Sequence, residues 1–282
     1  MKSKSGFVLT LIFMVLTAVI AAGCGGEDKG KIRKLSDLEG KSIGVNAIGI
    51  SPESYEKVVT ANLGVKPRNI VHFNRLADAS AALLAGKVDA VYTLSVVADY
   101  YAKRNKNLGI LAAKRNPQFN VVMAVRSDDA RLREDVNRAL AALEQDGTLS
   151  KLQKDWITDL PSDNEPSVKQ IPKIPGAKTV HVGVCGDLVP MDYVAADGRP
   201  AGYNVALLSE IGKLSHINFE FVPLESQAKF AALQSKKIDV IFIHLYVSQV
   251  NNNLLADEYT QSTWTLTAPY FQFFGSSFLV KK

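Results

Sequence analysis

Apolar and polar positions along this chain follow the periods of strands and helices in alternation. Short apolar runs predict buried strands, and the stretches between them place apolar residues every three or four positions, as in an amphipathic helix. Strands that alternate with helices favour a parallel sheet built from βαβ units. In the first half this pattern predicts strands at 42–46, 69–73, 86–92 and 120–126, and helices at 51–62, 77–84 and 96–104.

The middle of the sequence reads as the end of one domain and the start of another. An apolar helical face follows Ser127, which we expect to cap a helix that ends at Gly147. A second short helix continues to Pro161. Residues 162–177 are polar and rich in proline, which is typical of a semi-extended linker. A new strand pattern begins at Lys178, so the sequence predicts a domain boundary here.

The second half repeats the plan of the first. Residues 83–92 and 233–242 both run from a helix through a lysine turn into a strand that begins Lys-(Val/Ile)-Asp. This repeat predicts two similar lobes rather than a short-period solenoid. The predicted strands of this half are 179–185, 217–222, 237–242 and 273–280, and the predicted helices are 204–214 and 227–235.

The first residues have the pattern of an export signal. Lys2 and Lys4 precede an apolar run at 7–22, which is short for a membrane span and suits a signal peptide. The run ends in small residues directly before Cys24, which resembles the lipobox of bacterial lipoproteins. The resemblance implies that Cys24 is lipidated and holds the protein at the membrane. An ordinary cleaved signal and a retained anchor are the alternatives.

Composition narrows the function without identifying it. The chain of 282 residues is 47% apolar and 22% charged, as in ordinary globular proteins, and its formal net charge is +5. Its lysines and arginines form no cluster interleaved with aromatic residues, so we expect no nucleic-acid partner. Its four histidines lie on separate predicted elements, so we expect no metal site. Since no nucleophile, phosphate-loop or dinucleotide motif is present, we expect no catalytic residues and no cofactor.

Two groups of motifs stand out in the sequence. The first is Asp-Gly-Arg-Pro-Ala-Gly-Tyr at 197–203 with the stretches 182–184, 233–241 and 268–270, and the second is Asp-Gly-Thr-Leu at 146–149 with the stretches 35–45 and 83–91. Together they resemble the bacterial extracellular solute-binding proteins of family 3, the amino-acid-binding components of ABC importers. The first group resembles the family's first lobe, and the second group resembles its second lobe and terminal helices. The order is reversed here, which is explained by circular permutation. A fragment spanning two tandem copies would give the same order.

The resemblance implies an α/β, two-lobed, type II periplasmic-binding-protein-like fold, circularly permuted. We expect only the crossing near Val121 to Arg126 to join the lobes covalently. The expected segments are a signal peptide (1–23), a tether (24–34), a lobe resembling the family's second lobe (35–126), returning helices (127–160), a linker (161–177) and a lobe resembling the family's first lobe (178–282).

The same resemblance places a solute between the lobes, outside the carboxyl ends of the strands. In the family, an arginine holds the carboxylate of an amino acid and an acid holds its ammonium group. Asn251 and Leu94 stand at those two positions, so the scaffold matches better than the site. The candidate ligand-binding residues are Ser51, Tyr92, Thr93, Asp187, His244, Tyr246 and Asn251.

The function implied by the family is extracytoplasmic solute binding, with the closed form presented to an ABC permease. We expect a small polar solute, an amino acid or a related compound, and a monomeric protein without enzymatic activity. Two alternatives remain open at this point. One is a sensor or interaction protein with a degenerate cleft, and the other is a dehydratase-like enzyme on the same fold.

Overall fold

The first lobe is built around a five-stranded mixed sheet. This computed structural model describes residues 31–46, 52–115, 117–161, 163, 166, 173–225, 228–246 and 264–282. The strand order is β2-β1-β3-β14-β4, in which β14 is antiparallel to both of its neighbours. The strands are β1 (Ser42–Asn46), β2 (Asn69–Phe73), β3 (Ala90–Leu94), β4 (Leu108–Ala112) and β14 (Ser276–Lys281), and the helices are α1 (Pro52–Leu63), α2 (Leu76–Leu84) and α3 (Ser95–Arg104).

The second lobe repeats this plan with a sheet ordered β10-β6-β11-β5-β12, whose β5 also pairs with β13. Its main helices cover an apolar core that includes Tyr203 and Trp156. The strands are β5 (Gln118–Arg126), β6 (Lys178–Val184), β10 (Ile217–Pro223), β11 (Val240–Tyr246), β12 (Trp264–Leu266) and β13 (Phe271–Phe274). The helices are α4 (Ala130–Gln145), α5 (Thr148–Gln153), α6 (Tyr203–Ser215) and α7 (Lys229–Gln234), with a π-helical turn at Lys154–Thr158.

Each sheet receives one strand from the other half of the chain. β5 leaves the first lobe and pairs antiparallel with β11, while β14 leaves the second lobe and pairs with β3 and β4. The chain therefore crosses between lobes twice, and the expectation of one covalent crossing was wrong. The expected lobe boundaries also shift, since 118–126 lies in the second sheet and 276–281 in the first.

The two crossings lie side by side. The amide of Gly275 donates a hydrogen bond of 2.8 Å to the carbonyl of Pro117. Next to it, Gln118 Nε2 donates to Gln272 Oε1 at 2.8 Å. Gly275 has φ of +72°, a left-handed conformation that glycine adopts without steric cost. The crossings thus form a two-stranded connection between the lobes.

Local boundaries differ from the expected ones where side chains or bends decide them. Helix α4 is capped by Asp129, whose Oδ1 accepts the amide of Leu132 at 3.1 Å, and not by Ser127. The single strand expected at 273–280 is two strands, because the chain turns at Gly275 between the two sheets. The periodicity did not reveal strands β4 and β12. It also missed a small three-stranded sheet formed by β7 (Asp187–Leu188), β8 (Asp192–Val194) and β9 (Pro200–Ala201).

The repeated lysine turns form the same contacts in both lobes. In the first lobe, the Asp89 carboxylate accepts the amide of Ser42 at 2.8 Å. In the second, the Asp239 carboxylate accepts the amide of His181 at 2.7 Å. Each aspartate therefore ties the turn to the neighbouring parallel strand, at the first residue of β1 and at the middle of β6. Both residues hold the fold together at the ends of the strands opposite the expected cleft.

The end of the linker is packed against the second lobe. Ile174 donates its amide to Asn218 Oδ1 at 2.8 Å, and Asn218 Nδ2 donates back to the Ile174 carbonyl at 3.0 Å. Lys173 pairs with Glu220 on the same strand, β10. The described end of the linker, 173–177, is therefore anchored directly before β6 begins.

Two glycines allow a matched test of packing at the start of α6. Gly202 and Gly198 both have left-handed φ, +109° and +81°. A Cβ at Gly202 would lie 2.4 Å from the Met191 carbonyl oxygen, whereas a Cβ at Gly198 would have open space. We expect Gly198→Ala to lower the free energy of unfolding by about 1–2 kcal/mol. Gly202→Ala should lower it by about 1–3 kcal/mol more. Urea denaturation measures both, and equal losses would contradict this packing.

Candidate functional site

The carboxyl ends of parallel strands from both lobes meet where β7 contacts α2. β7 follows β6 in the second lobe, and α2 follows β2 in the first lobe. In open α/β sheets this edge is where ligands bind. Leu188 of β7 packs against apolar residues of both lobes, and so does Leu94 at the end of β3.

Asp187 makes a buried polar contact between the lobes. Its Oδ2 accepts the amide of Leu76 at 2.7 Å and lies 3.4 Å from the amide of Ala77, both in the first turn of α2. Arg75 Nε lies 3.9 Å from the same oxygen. Asp187 is 8% exposed. Burial raises the pKa of Asp187, while the two amides and Arg75 oppose this rise.

A second carboxylate, Asp192, is fully buried behind Asp187. Its Oδ1 accepts the amide of Cys185 at 2.9 Å, and its Oδ2 accepts Asn204 Nδ2 at 3.0 Å. Asn204 in turn accepts the hydroxyl of Tyr270 at 2.9 Å. This chain of hydrogen bonds fixes the loop after β6 to helix α6. Burial raises the pKa of Asp192, and the positive charge of Lys229 partly opposes it.

Lys229 places a buried cation beside these groups. It lies in the first turn of α7 and is 7% exposed. Burial disfavours its charge, but the Cys185 thiol and the Asp192 carboxylate outweigh this and raise the pKa of Lys229. The second lobe therefore holds two buried groups of opposite charge, Asp192 and Lys229, and each shifts the pKa of the other.

Two amide oxygens at the cleft-facing ends of the sheets are buried without a hydrogen bond among the described residues. Asn46 Oδ1 lies on the last residue of β1 in the first lobe, and Asn120 Oδ1 lies on β5 opposite Leu245, near the end of β11. Buried polar atoms are normally hydrogen-bonded.

The structure places three of the expected ligand-binding residues in defined surroundings. Tyr92 is 4% exposed and packs against Phe278 and Tyr55, so its ring belongs to the first-lobe core. Thr93 is also buried, opposite Ser277 in the neighbouring strand. Asp187 lies at the contact between the lobes. The structure therefore brings Asp187 to the cleft and assigns the ring of Tyr92 to packing.

The remaining expected residues are described only in part. His244 and Tyr246 lie on β11, opposite Val121 and Phe119 of β5. Ser51, Asn251 and the expected lipidation site Cys24 lie outside the described residues. Their roles stay predictions.

Sequence reasoning missed Asp192, Asn204 and Lys229. One signal for Lys229 was available: it shares a helical face with Ala232 and Leu233, which are buried, so a lysine there interrupts an apolar stripe. Asp192 carried no such signal, because it begins the short strand β8, which the periodicity did not reveal.

Elsewhere on the second lobe, a groove of about 620 Å³ lies at the opposite ends of the strands, near Lys178 and Ile217. Within the described part of the chain, no group of three or more histidine, cysteine, aspartate or glutamate residues is placed to hold a metal ion. None of the helices described is long and apolar enough to cross a membrane.

The family model for bacterial extracellular solute-binding proteins, family 3, matches residues 42–159 and 180–282. The chain belongs to this family. The two matched stretches include both lobes and leave out the linker between them. The two-lobed α/β architecture of the chain is that of the family.

Two curated relatives of this chain are an arginine-binding and an L-cystine-binding protein. The arginine-binding extracellular protein ArtP of Bacillus subtilis is 31% identical over 134 residues, 47% of this chain and 50% of that protein. The L-cystine-binding protein TcyA of the same organism is 29% identical over 133 residues, 46% of each protein. The chain thus spans about half the length of the curated relatives it matches.

Among solved structures, an ancestral arginine-binding protein bound to arginine superposes with a TM-score of 0.43 at 14% identity. The alignment covers 87% of this chain and 86% of that one. The ligand-binding component of an ABC-type import system from Staphylococcus aureus, with zinc bound, gives a TM-score of 0.46 at 14% identity. It covers 86% of this chain and 66% of that one.

The buried charges of Lys229 and Asp192 predict coupled stability effects. Lys229→Met removes a positive charge that helps to compensate the buried Asp192 carboxylate, so it should lower the free energy of unfolding. Asp192→Asn leaves Lys229 with less compensation and should also destabilise. The double variant should lose less than the sum of the single losses by at least about 1 kcal/mol. Urea denaturation of the four proteins gives the coupling, and strictly additive losses would show that the two charges do not interact.

Proposed function

We propose that this protein binds a small polar solute, an amino acid or a related compound, between its two lobes for an ABC-type importer. The observation that carries the proposal is the family match, which includes both lobes of the described fold. Binding and closure, without covalent chemistry, would be its mechanism. Its partner would be an ABC permease, and the protein would act as a monomer.

The described cleft supports a solute with hydrogen-bond donors. Asn46 and Asn120 would supply buried oxygens as hydrogen-bond acceptors, one from each lobe, since neither oxygen has a partner among the described residues. Leu94 packs where the family places an acid for the ammonium group, so that part of the cleft is apolar. We therefore propose a solute whose nitrogen donors lie away from Leu94. Arginine and cystine, bound by the relatives, are the first candidates.

Solute binding predicts a ligand-dependent melting temperature. A solute at 100 times its dissociation constant adds about 2.7 kcal/mol to the free energy of unfolding, which should raise Tm by several degrees. The screen uses the chain from Gly25 and compares arginine, cystine, other amino acids, polyamines and organic acids by differential scanning fluorimetry. Asn46→Ala and Asn120→Ala should each reduce the shift, because each removes a proposed acceptor.

Lys57→Ala is a control for the screen, because Lys57 is exposed on α1 and pairs only with its neighbour Glu53 among its described contacts. It should leave the shift unchanged. A cooperative melt that no solute shifts would contradict the proposed binding and favour a sensor or interaction protein. Formation of a new product from a cyclohexadienyl acid would favour the enzyme on the same fold.

We further propose that the chain is circularly permuted and lipid-anchored through Cys24, after removal of residues 1–23. Support for the permutation comes from the first sheet, where Ile32 and Leu35 pack against the same apolar cluster that contains Phe278 and Val280. Support for the anchor is the small-residue stretch before Cys24. The family consists of extracellular proteins, which agrees with export.

The permutation predicts that the family's order can be restored. We expect a chain of residues 178–282, a short Gly/Ser linker and residues 32–160 to fold with one cooperative transition. It should give the same solute response as the original order, because the pairings of β5 and β14 are kept. Circular dichroism and the fluorimetric screen test this. Failure of the reordered chain to fold, while the original order melts cooperatively, would contradict the proposed permutation.

A further inference from the structure

We propose that Asp187 is a built-in latch between the lobes: its carboxylate, carried by β7 of the second lobe, docks on the first turn of α2 and holds the cleft closed. The contact is between protein groups alone. It therefore goes beyond solute binding and stands whichever solute the cleft accepts.

The geometry of the contact is that of a charged cap on a helix of another lobe. The first amides of a helix have no partners within the helix. Asp187 satisfies the amide of Leu76 at 2.7 Å, with the amide of Ala77 at 3.4 Å. The residue before the helix, Arg75, makes no side-chain hydrogen bond as an N-cap, so the cap comes from across the cleft.

Burial strengthens the hydrogen bonds between Asp187 and α2. Leu76 is fully buried and Asp187 is 8% exposed, so water does not compete freely for either group. Beside Asp187, Leu188 packs against apolar residues of both lobes and excludes water from the same place. A charge-assisted hydrogen bond is stronger than a neutral one, and more so away from water.

The neighbouring positive charges favour this position of the Asp187 carboxylate. Arg75 lies 3.9 Å away on the side of the helix, and the positive end of the α2 dipole adds to it. The negative charge of Asp78 in the same turn disfavours the charged form of Asp187 and so raises its pKa. Burial raises the pKa of Tyr101 of α3, and the nearby charge of Asp187 adds to this rise. Opening the lobes would return the α2 amides to water and separate Asp187 from Arg75.

The hinge makes the contact an effective latch. The lobes are joined at the paired crossings through Pro117 and Gly275, so their main freedom is rotation about that connection. A contact away from the hinge resists rotation directly. If contacts within the protein already hold part of the population closed, less of the solute's binding free energy is needed to close the lobes. The observed affinity for the solute is then higher.

Amide hydrogen exchange tests the latch on the full chain. The amide of Leu76 should exchange about 10- to 100-fold more slowly than an unbonded amide, from the usual strength of a hydrogen bond to a charged group. In Asp187→Ala this protection should disappear, while the amides of Gly44 and Val45 in the sheet below stay protected. Small-angle X-ray scattering should show a larger radius of gyration for the variant.

The matched control is Asp129→Ala. Asp129 caps α4 through the amide of Leu132, but cap and helix belong to the same lobe. This variant should expose the Leu132 amide and leave both Leu76 protection and the radius of gyration unchanged. Asp187→Asn keeps the shape and removes the charge, so it gives an intermediate protection of Leu76 and serves as the readout if Asp187→Ala does not fold.

Two results would overturn the proposal. One is a Leu76 amide that exchanges at the same rate in the wild-type protein and in Asp187→Asn. The other is a uniform loss of protection throughout the second lobe of the variant, which would show that Asp187 stabilises its own lobe instead. Neither result depends on a solute, so the latch and the proposed function fail or succeed separately.

Discussion

The exchange of one strand between the two sheets is the constraint on which the rest of this structure depends. A buried strand must satisfy its backbone donors and acceptors through neighbouring strands. β14 lies between β3 and β4 in the first sheet, and β5 lies between β11 and β12 in the second. Neither sheet is complete without a segment from the other half, so the two lobes share one fold despite their separate cores.

This exchange also fixes where the lobes can move. The crossings run next to each other and are tied by the hydrogen bond from Gly275 to Pro117. Sliding of one lobe along the other would break the strand pairing on both sides. Rotation about the paired crossings costs only changes of backbone angles at a few residues, which is the usual form of hinge motion. The carboxyl ends of the parallel strands then open and close like the two sides of a cleft.

The periodicity of the sequence predicted most elements, because buried strands and amphipathic helices leave local patterns. Strand β2 begins and ends at the predicted residues, Asn69 and Phe73. Pairing between strands is not local, so no pattern in the sequence showed that β14 would enter the first sheet. The turn at Gly275 was hidden for the same reason, since apolar residues continue on both sides of it.

For the site, the sequence indicated where a residue lies in the fold more readily than which groups it contacts. Asp187 follows a strand, and that position brings it to the edge where the lobes meet. Its partner is a pair of backbone amides over 100 positions away, and backbone amides carry no sequence signal. In the sequence, Lys229 is visible only as a charge within an apolar helical face. Its interaction with Asp192 becomes visible only in the structure.

The latch and the hinge together determine what a solute must contribute to closure. If the lobes were held only at the crossings, a solute would have to provide the whole free-energy difference between the open and closed forms. The contact from Asp187 to α2 supplies part of that difference before any solute binds. Under the proposed function, a solute would then need fewer interactions of its own to close the cleft.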